Sequence, residues 1–139
     1  MKTFRNIVSK RKEDPAITKM SGILETKVGP PEEYGGSSQE LNPEEMFVAA
    51  INSCIMLVFY HFVEKYSVDI KSYSSEAKGI VEKTRNGLRF TSVDVNAQVL
   101  PGNNDHAEKI QEITQLAERY CLVSNSVACE VTYNVEVNG

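Results

Sequence analysis

The sequence is short of positive charge, and this shortage excludes one class of partner. Its 139 residues carry 15 Lys and Arg against 19 Asp and Glu, which gives a formal net charge of -4 at pH 7. A protein that binds nucleic acid needs a basic surface to neutralise phosphates. The one basic cluster, Lys10-Arg11-Lys12, is cancelled at once by Glu13 and Asp14. Nucleic acid is therefore not expected as a partner.

Histidine and cysteine are also scarce, with two His and three Cys in the chain. Cys54 and Cys121 lie far apart in the sequence, there is no Cys-x-x-Cys pair, and no histidines stand at ligand spacing. A structural zinc ion usually takes four such ligands. We therefore expect no metal.

The chain start lacks the apolar stretch of a secretory leader, because the segment from Met1 to Pro15 is polar and charged. Cysteines in a chain of this kind suggest a reducing compartment, so a cytoplasmic location is expected. The one long apolar run, from Phe47 to Val63, contains Asn52 and His61 and is shorter than the roughly 20 apolar residues that a bilayer requires. It predicts a buried core helix and no membrane association.

The length fits a single domain over 1–139. Strand-like composition in 3–8 and 17–28 predicts an N-terminal hairpin within about 1–30, with a polar loop between the two strands. Further elements are expected in the order central helix (about 43–65), hairpin (about 67–100), helix (about 105–120) and final strand (about 129–137). This order predicts an α+β fold with antiparallel sheets.

The central helix has a well-marked start. Asn42 can cap it, Pro43 suits the first helical position, and Glu44 and Glu45 lie favourably near the positive end of the helix dipole. Because the helix then shows almost no polar face, we expect it to be covered on all sides by its own sheet, by other helices or by a second subunit.

The later elements carry equally local signals. In Arg85-Asn86-Gly87, Asn86 and Gly87 both tolerate positive φ, which predicts a tight antiparallel hairpin. Asp105 with Glu108 makes a capping-box-like start for the second helix. Apolar residues alternate in the strand before that helix and in the final strand, which predicts one buried face for each: Val93, Val95, Ala97, Val99, Val131, Tyr133, Val135 and Val137.

Two cysteines stand in comparable settings, and this is the main functional signal. Cys54 lies inside the apolar central helix, and Cys121 closes the second helix. A single cysteine is most often a small buried apolar residue. A buried thiol is normally inert, and a reactive one needs a nearby cation or a helix N-terminus to lower its pKa.

Two motifs carry a family resemblance. The first motif is Asn42-Pro43-Glu44-Glu45-Met46-Phe47-Val48-Ala49-Ala50, which leads to Ser53-Cys54, and the second is Cys121-Leu122-Val123-Ser124-Asn125-Ser126. Both motifs closely resemble those of the OsmC/Ohr family of thiol-dependent hydroperoxide reductases. The resemblance covers the chain from about Ile23 onward. It implies an intertwined homodimer in which Cys54 reduces a hydroperoxide and Cys121 resolves the resulting sulfenic acid as a disulfide.

The resemblance also implies an arginine from the N-terminal hairpin loop and a glutamate that orients it. Glu44 matches the glutamate, Arg11 is the better match for the arginine, and Arg5 is the second choice. The N-terminal segment lacks the Gly-rich loop of the family, and Leu122 stands where many members have Pro. The implied reductant is an external thiol of the lipoyl or thioredoxin-like kind. The resemblance implies in addition a chemistry that uses no flavin, haem or other cofactor.

Helix geometry limits which residues can meet. Glu44 and Cys54 are ten residues apart, about 15 Å of rise, so Glu44, and with it Arg11, is expected to serve the cysteine of the other subunit. His61 is about 10 Å along the helix from Cys54, too far for a dyad, and is interpreted as a packed or interface residue. Cys129 is interpreted as a core thiol.

Two expectations have weaker support from the residues. Asn125 and Ser126 are expected to hydrogen-bond the backbone after the second helix rather than to take part in catalysis. An apolar mouth would favour organic hydroperoxides over hydrogen peroxide, although its candidate residues are mostly expected in the core: Phe47, Ile51, Val58, Phe59 and Phe62. The alternative function is a redox-sensing or small-ligand-binding dimer whose cysteines oxidise without turnover.

Overall fold

The computed structural model describes residues 1–102 and 106–138, and it has the expected α+β fold. The chain forms two compact units, Met1–Phe47 and Val48–Gly139. Each unit contains a three-stranded sheet. A long helix, α1 (Pro43–Lys65), begins in the first unit and continues into the second.

The first unit is a three-stranded antiparallel meander rather than a hairpin. Its strands are β1 (Ile7–Ser9), β2 (Ile17–Met20) and β3 (Leu24–Lys27). The second predicted strand is divided because Ser21 and Gly22 take positive φ angles of 50° and 70°, which reverse the chain. The Ser-Gly dipeptide is a turn signal, but the strand-like residues on both sides of it predict one continuous strand.

Helix α1 begins as predicted, because Asn42 Oδ1 accepts a hydrogen bond of 2.7 Å from the Glu45 N–H. Within the single chain, the expected covering of this helix is partial. One face is buried, with Ile51, Ile55, Phe59, Phe62 and Val63, whereas Leu57 on another face is 64% exposed. By length and composition alone α1 could cross a membrane, a test that core helices of soluble proteins also pass.

The sheet of the second unit contains β4 (Ile70–Thr84), β5 (Gly87–Pro101) and β6 (Glu130–Val137). The predicted antiparallel pairing of β4 with β5 is confirmed, but the sheet is mixed because β6 runs parallel to β5. Parallel neighbours need a crossover connection. Here the crossover contains α2 (Ala107–Tyr120) and α3 (Leu122–Asn125).

The β4–β5 turn differs from the expected one in a single residue. Gly87 has a φ of +94°, but Asn86 does not take positive φ. The Thr84 hydroxyl accepts a hydrogen bond from the Asn86 N–H and donates one to the Gly87 carbonyl, at 3.1 and 2.8 Å. Gly87 alone therefore provides the left-handed backbone conformation of this turn.

The predicted core is present on one face of the sheet and on α2. The alternating residues of β5 are buried, as are Ile110, Ile113 and Ala117 of α2, which contacts β6. The helix starts after His106, whose side chain makes no capping hydrogen bond. The predicted capping residue Asp105 lies outside the described residues.

Candidate functional site

The structure brings Cys54 and Cys121 together. Cys54 is half-buried on α1, one turn from the buried Ile51, and its side chain shares a hydrogen bond with Cys121. Cys121 is fully buried between α2 and α3. Both are free thiols. Two side chains that are distant in sequence thus meet in one unit of the fold.

The surroundings of Cys54 act on its acidity in both directions. Burial raises the pKa of the Cys54 thiol, and the hydrogen bond and charge of Cys121 raise it further. Backbone hydrogen bonds from Val123 and Leu122 lower this pKa, but the net change is upward. Among the groups described in this single chain, no cationic side chain contributes to lowering it.

The turn that follows Cys121 also provides donors to Cys121 itself. The sulfur of Cys121 accepts hydrogen bonds from the N–H and the hydroxyl of Ser124, at 3.4 and 3.2 Å. Cys121 thereby acts as the N-cap of α3. The first turn of α3 therefore supplies hydrogen bonds to both cysteine sulfurs.

The other predicted site residues lie in the first unit. One carboxylate oxygen of Glu44 is buried and has no hydrogen-bond partner within residues 1–102 and 106–138. Arg11 is exposed in the loop between β1 and β2, where its carbonyl accepts a hydrogen bond from the Asp14 N–H. Arg5 is exposed ahead of β1. The position of Arg11 in a hairpin loop is the one that the sequence predicted.

The predicted backbone roles of Asn125 and Ser126 are confirmed. The Asn125 amide donates to the Arg119 carbonyl at 2.9 Å, and the Ser126 hydroxyl donates to the Leu122 carbonyl at 2.7 Å. Both bonds hold the chain in place around Cys121 without involving its sulfur.

Two further residues have surroundings that bear on their predicted roles. His61 is exposed in the single chain, and its ring lies in a T-shaped arrangement with that of Phe62 at a centroid separation of 5.0 Å, so its place at an interface stays a prediction. Cys129 is half-buried and lines a surface cleft with Arg85 and Arg89, so it is not a core thiol. Ile51 and Phe59 are fully buried core residues.

Sequence reasoning missed Ser124 and a tyrosine cluster. Ser124 lies three residues after a residue that caps a helix, a spacing typical of capping motifs, and this could have identified it. The Tyr73 and Tyr133 hydroxyls share a hydrogen bond of 2.7 Å, and the ring of Tyr73 lies 5.8 Å from that of Tyr60. No local pattern predicts this cluster, because its members lie on β4, β6 and α1.

Comparisons with known proteins agree on one family. A family model described as OsmC-like protein matches residues 35–136. The uncharacterized protein YmaD of Bacillus subtilis is 22% identical over 121 residues, which cover 85% of this chain and 81% of that protein.

Solved structures give the same result for the fold. An OsmC-like protein of unknown function from Vibrio cholerae superimposes with a TM-score of 0.87 at 24% identity, covering 98% of this chain and 100% of that one. An organic hydroperoxide resistance protein from Elizabethkingia anophelis gives a TM-score of 0.80 at 22% identity, covering 99% and 98%.

Proposed function

The chain belongs to the OsmC-like protein family, and from this premise we propose that it is a thiol-dependent peroxidase that reduces organic hydroperoxides. The observation that carries the proposal is the hydrogen bond between Cys54 and Cys121, two free thiols from distant parts of the sequence. A cysteine peroxidase that recycles through a disulfide requires such a pair.

The proposed cycle has three steps. The Cys54 thiolate attacks the terminal peroxide oxygen, the O–O bond breaks, and the other oxygen leaves as an alcohol after taking a proton. Cys54 is then a sulfenic acid. The Cys121 thiol attacks its sulfur, water leaves, and a disulfide forms. An external dithiol reduces that disulfide and is itself oxidised.

The division of roles rests on exposure. Cys54 is partly exposed, so a substrate from solvent can reach it, whereas Cys121 is fully buried. Oxidation of a cysteine follows its thiolate character and its accessibility. Cys54 is therefore the residue that meets the peroxide, and Cys121 is the residue that resolves it.

A cation is the missing component of this site, because the pKa of Cys54 is raised in the single chain by burial and by Cys121. Arg11 of a second subunit, oriented by Glu44, is proposed to supply it, with Arg5 as the alternative. One oxygen of Glu44 is buried and has no hydrogen-bond partner among the residues that the structure describes, which supports this assignment, since a buried carboxylate normally has a partner. Along α1 itself, Glu44 and Cys54 are about 15 Å apart.

The proposed enzyme is a cytoplasmic homodimer that acts in the response to oxidative stress. Its exposed apolar α1 face supports a dimer. A preference for organic over hydrogen peroxide is proposed from the apolar character of α1 near Cys54 and from the resemblance to proteins named for organic hydroperoxide resistance. The external reductant is proposed to be a lipoyl or thioredoxin-like thiol.

Turnover tests this proposal against the alternative of a redox sensor. The protein at low concentration receives excess cumene hydroperoxide with dihydrolipoamide, or with thioredoxin and its reductase, and loss of peroxide is followed. We expect many equivalents of peroxide consumed per subunit, and slower consumption of hydrogen peroxide. Consumption that stops at one equivalent with every dithiol would contradict the enzyme and would be the behaviour of a sensor.

A further inference from the structure

The two cysteine sulfurs accept hydrogen bonds from different donors, and this difference affects which sulfur becomes the leaving group when the disulfide is reduced. The Ser124 hydroxyl and N–H both donate to Cys121 Sγ, at 3.2 and 3.4 Å. Hydrogen bonds to an ionised acceptor are roughly twice as strong as those to a neutral one. These two bonds therefore strengthen when Cys121 carries a negative charge.

The two cysteines also differ in how accessible their side chains are to solvent. Cys121 has no exposed surface, whereas Cys54 is partly exposed. Thiol–disulfide exchange requires the incoming thiolate to reach the sulfur that it attacks, and it is faster when the other sulfur is a good leaving group. Only Cys54 is open to attack, and only Cys121 has the Ser124 hydroxyl as a donor.

We propose that the external thiol attacks Cys54, and that Ser124 is a positioning residue that holds the departing Cys121 thiolate. The proposal rests on the function proposed above. In this step the S–S bond breaks, a new disulfide forms between the reductant and Cys54, and the electron pair goes to Cys121 Sγ. Cys121 later takes a proton from solvent. The second thiol of the reductant then attacks the mixed disulfide and releases Cys54.

The same arrangement explains why Ser124 acts on this step more than on the first one. Its donors contact Cys121 Sγ. The sulfur of Cys54 instead receives the backbone N–H groups of Val123 and Leu122. Removing the Ser124 hydroxyl therefore acts directly on the leaving group of disulfide opening, whereas any effect on the attack of Cys54 on peroxide has to pass through Cys121 and is expected to be smaller.

The direction of opening is tested by trapping. Full-length Cys129→Ser protein is oxidised to the Cys54–Cys121 disulfide with diamide and treated briefly with 2-mercaptoethanol. It is then blocked with N-ethylmaleimide in denaturant at mildly acidic pH, so that the buried Cys121 thiol can react, and analysed by peptide mass spectrometry. We expect mercaptoethanol on Cys54 and maleimide on Cys121. The reverse labelling would overturn the proposal.

The role of Ser124 is tested by rate. We expect Ser124→Ala to slow opening by the monothiol about tenfold, because a hydrogen bond to a charged sulfur is lost. Ser124→Thr, which keeps the hydroxyl, should restore most of the rate. Ser126→Ala is the matched control, since it removes a hydroxyl from the same turn that contacts the Leu122 carbonyl rather than a sulfur.

Two outcomes would remove Ser124 from this role. One is opening by Ser124→Ala at the rate of the parent protein. The other is an equal slowing of the reaction of reduced Ser124→Ala with cumene hydroperoxide, since a general structural defect would affect both steps. Because diamide forms the disulfide, a failure of the peroxidase proposal appears separately, as a diamide-oxidised protein that does not react with peroxide.

Discussion

At the scale of single residues, Leu122 gives the turn after Cys121 a backbone N–H that a proline at this position would lack. Its backbone N–H is one of two that lower the pKa of the Cys54 thiol. The proline that the family resemblance leads one to expect at this position has no N–H. Leu122 therefore adds a hydrogen bond to the Cys54 sulfur, at the cost of an exposed apolar side chain, which is 70% accessible.

This difference predicts the effect of Leu122→Pro. Proline is well tolerated at the first position of a helix, so α3 should keep its structure. Loss of the N–H should raise the pKa of Cys54 further, and the rate of its reaction with peroxide at neutral pH should fall about two- to tenfold. Ultraviolet absorbance of the thiolate against pH, in a Cys121→Ala Cys129→Ser background, measures the acidity, and stopped-flow kinetics measures the rate.

Leu122→Ala is the control for this experiment, because it removes the side chain and keeps the N–H. An unchanged Cys54 titration in Leu122→Pro would show that the N–H does not act on the sulfur. An equal change in both variants would assign the effect to the lost side chain instead.

At the scale of elements, the sequence predicts those whose signals are local. The start of α1 is specified by Asn42 and the residues just after it, and the Asn42 cap is observed. The buried faces of β5 and α2 follow from alternation and helical periodicity. Each of these signals depends on residues within a few positions of one another.

The features that were missed depend on longer-range or conformational choices. The parallel placement of β6 beside β5 is set by packing of the crossover helices, which no strand pattern encodes. At Ser21 and Gly22 the backbone takes positive φ angles within a segment whose other residues favour a strand. The pairing of Cys54 with Cys121 could be predicted only from the family resemblance, because sequence spacing does not show whether two such distant residues lie close together in the fold.

The tyrosine cluster on the sheet is expected to make the stability of the protein depend on pH. Burial raises the pKa of Tyr133 well above its ordinary range, and the hydrogen bond that its hydroxyl shares with Tyr73 raises it further. Tyr133 is thus neutral in the folded protein at pH values where an unfolded tyrosine ionises. Its contribution to stability is complete below pH about 10 and is lost progressively as the pH rises beyond it.

We therefore expect the free energy of unfolding to fall above pH about 10, with Tyr133 contributing up to about 1.4 kcal/mol per pH unit. The double variant Tyr73→Phe Tyr133→Phe removes both hydroxyls together, so neither is left unpaired, and it should show a shallower fall. Urea unfolding across alkaline pH measures this. Tyr120→Phe, which alters an exposed tyrosine, is the control. Parallel pH profiles for the double variant and the parent would contradict the account.

At the scale of the whole molecule, the single chain leaves two groups without the environment they require. The apolar Leu57 on α1 is 64% exposed, and a carboxylate oxygen of Glu44 is buried with no partner in the described part of the chain. A second copy of the chain would cover the first and provide a cation for the second. The proposed homodimer follows from both observations.

This proposal predicts the effect of Leu57→Glu. A charge placed in an apolar interface is costly, so we expect dimer dissociation to become at least tenfold more favourable. Peroxide consumption should fall in parallel, because the proposed cation comes from the partner. Light scattering over a dilution series measures the mass, and Leu88→Glu, at an exposed leucine of the β4–β5 hairpin, is the control. A fully active monomer would contradict the shared site.

The peroxidase reaction is tested most directly by following Cys54 and Cys121 through a single turnover. Reduced protein is treated with one equivalent of cumene hydroperoxide, beside Cys54→Ser and Cys121→Ser, and intact mass is measured without reductant. We expect rapid loss of peroxide with loss of two hydrogens from the protein, no reaction in Cys54→Ser, and sulfenic or sulfinic acid in Cys121→Ser. Peroxide loss that is slow and persists in Cys54→Ser would mean that the chain has the fold of the family without its chemistry.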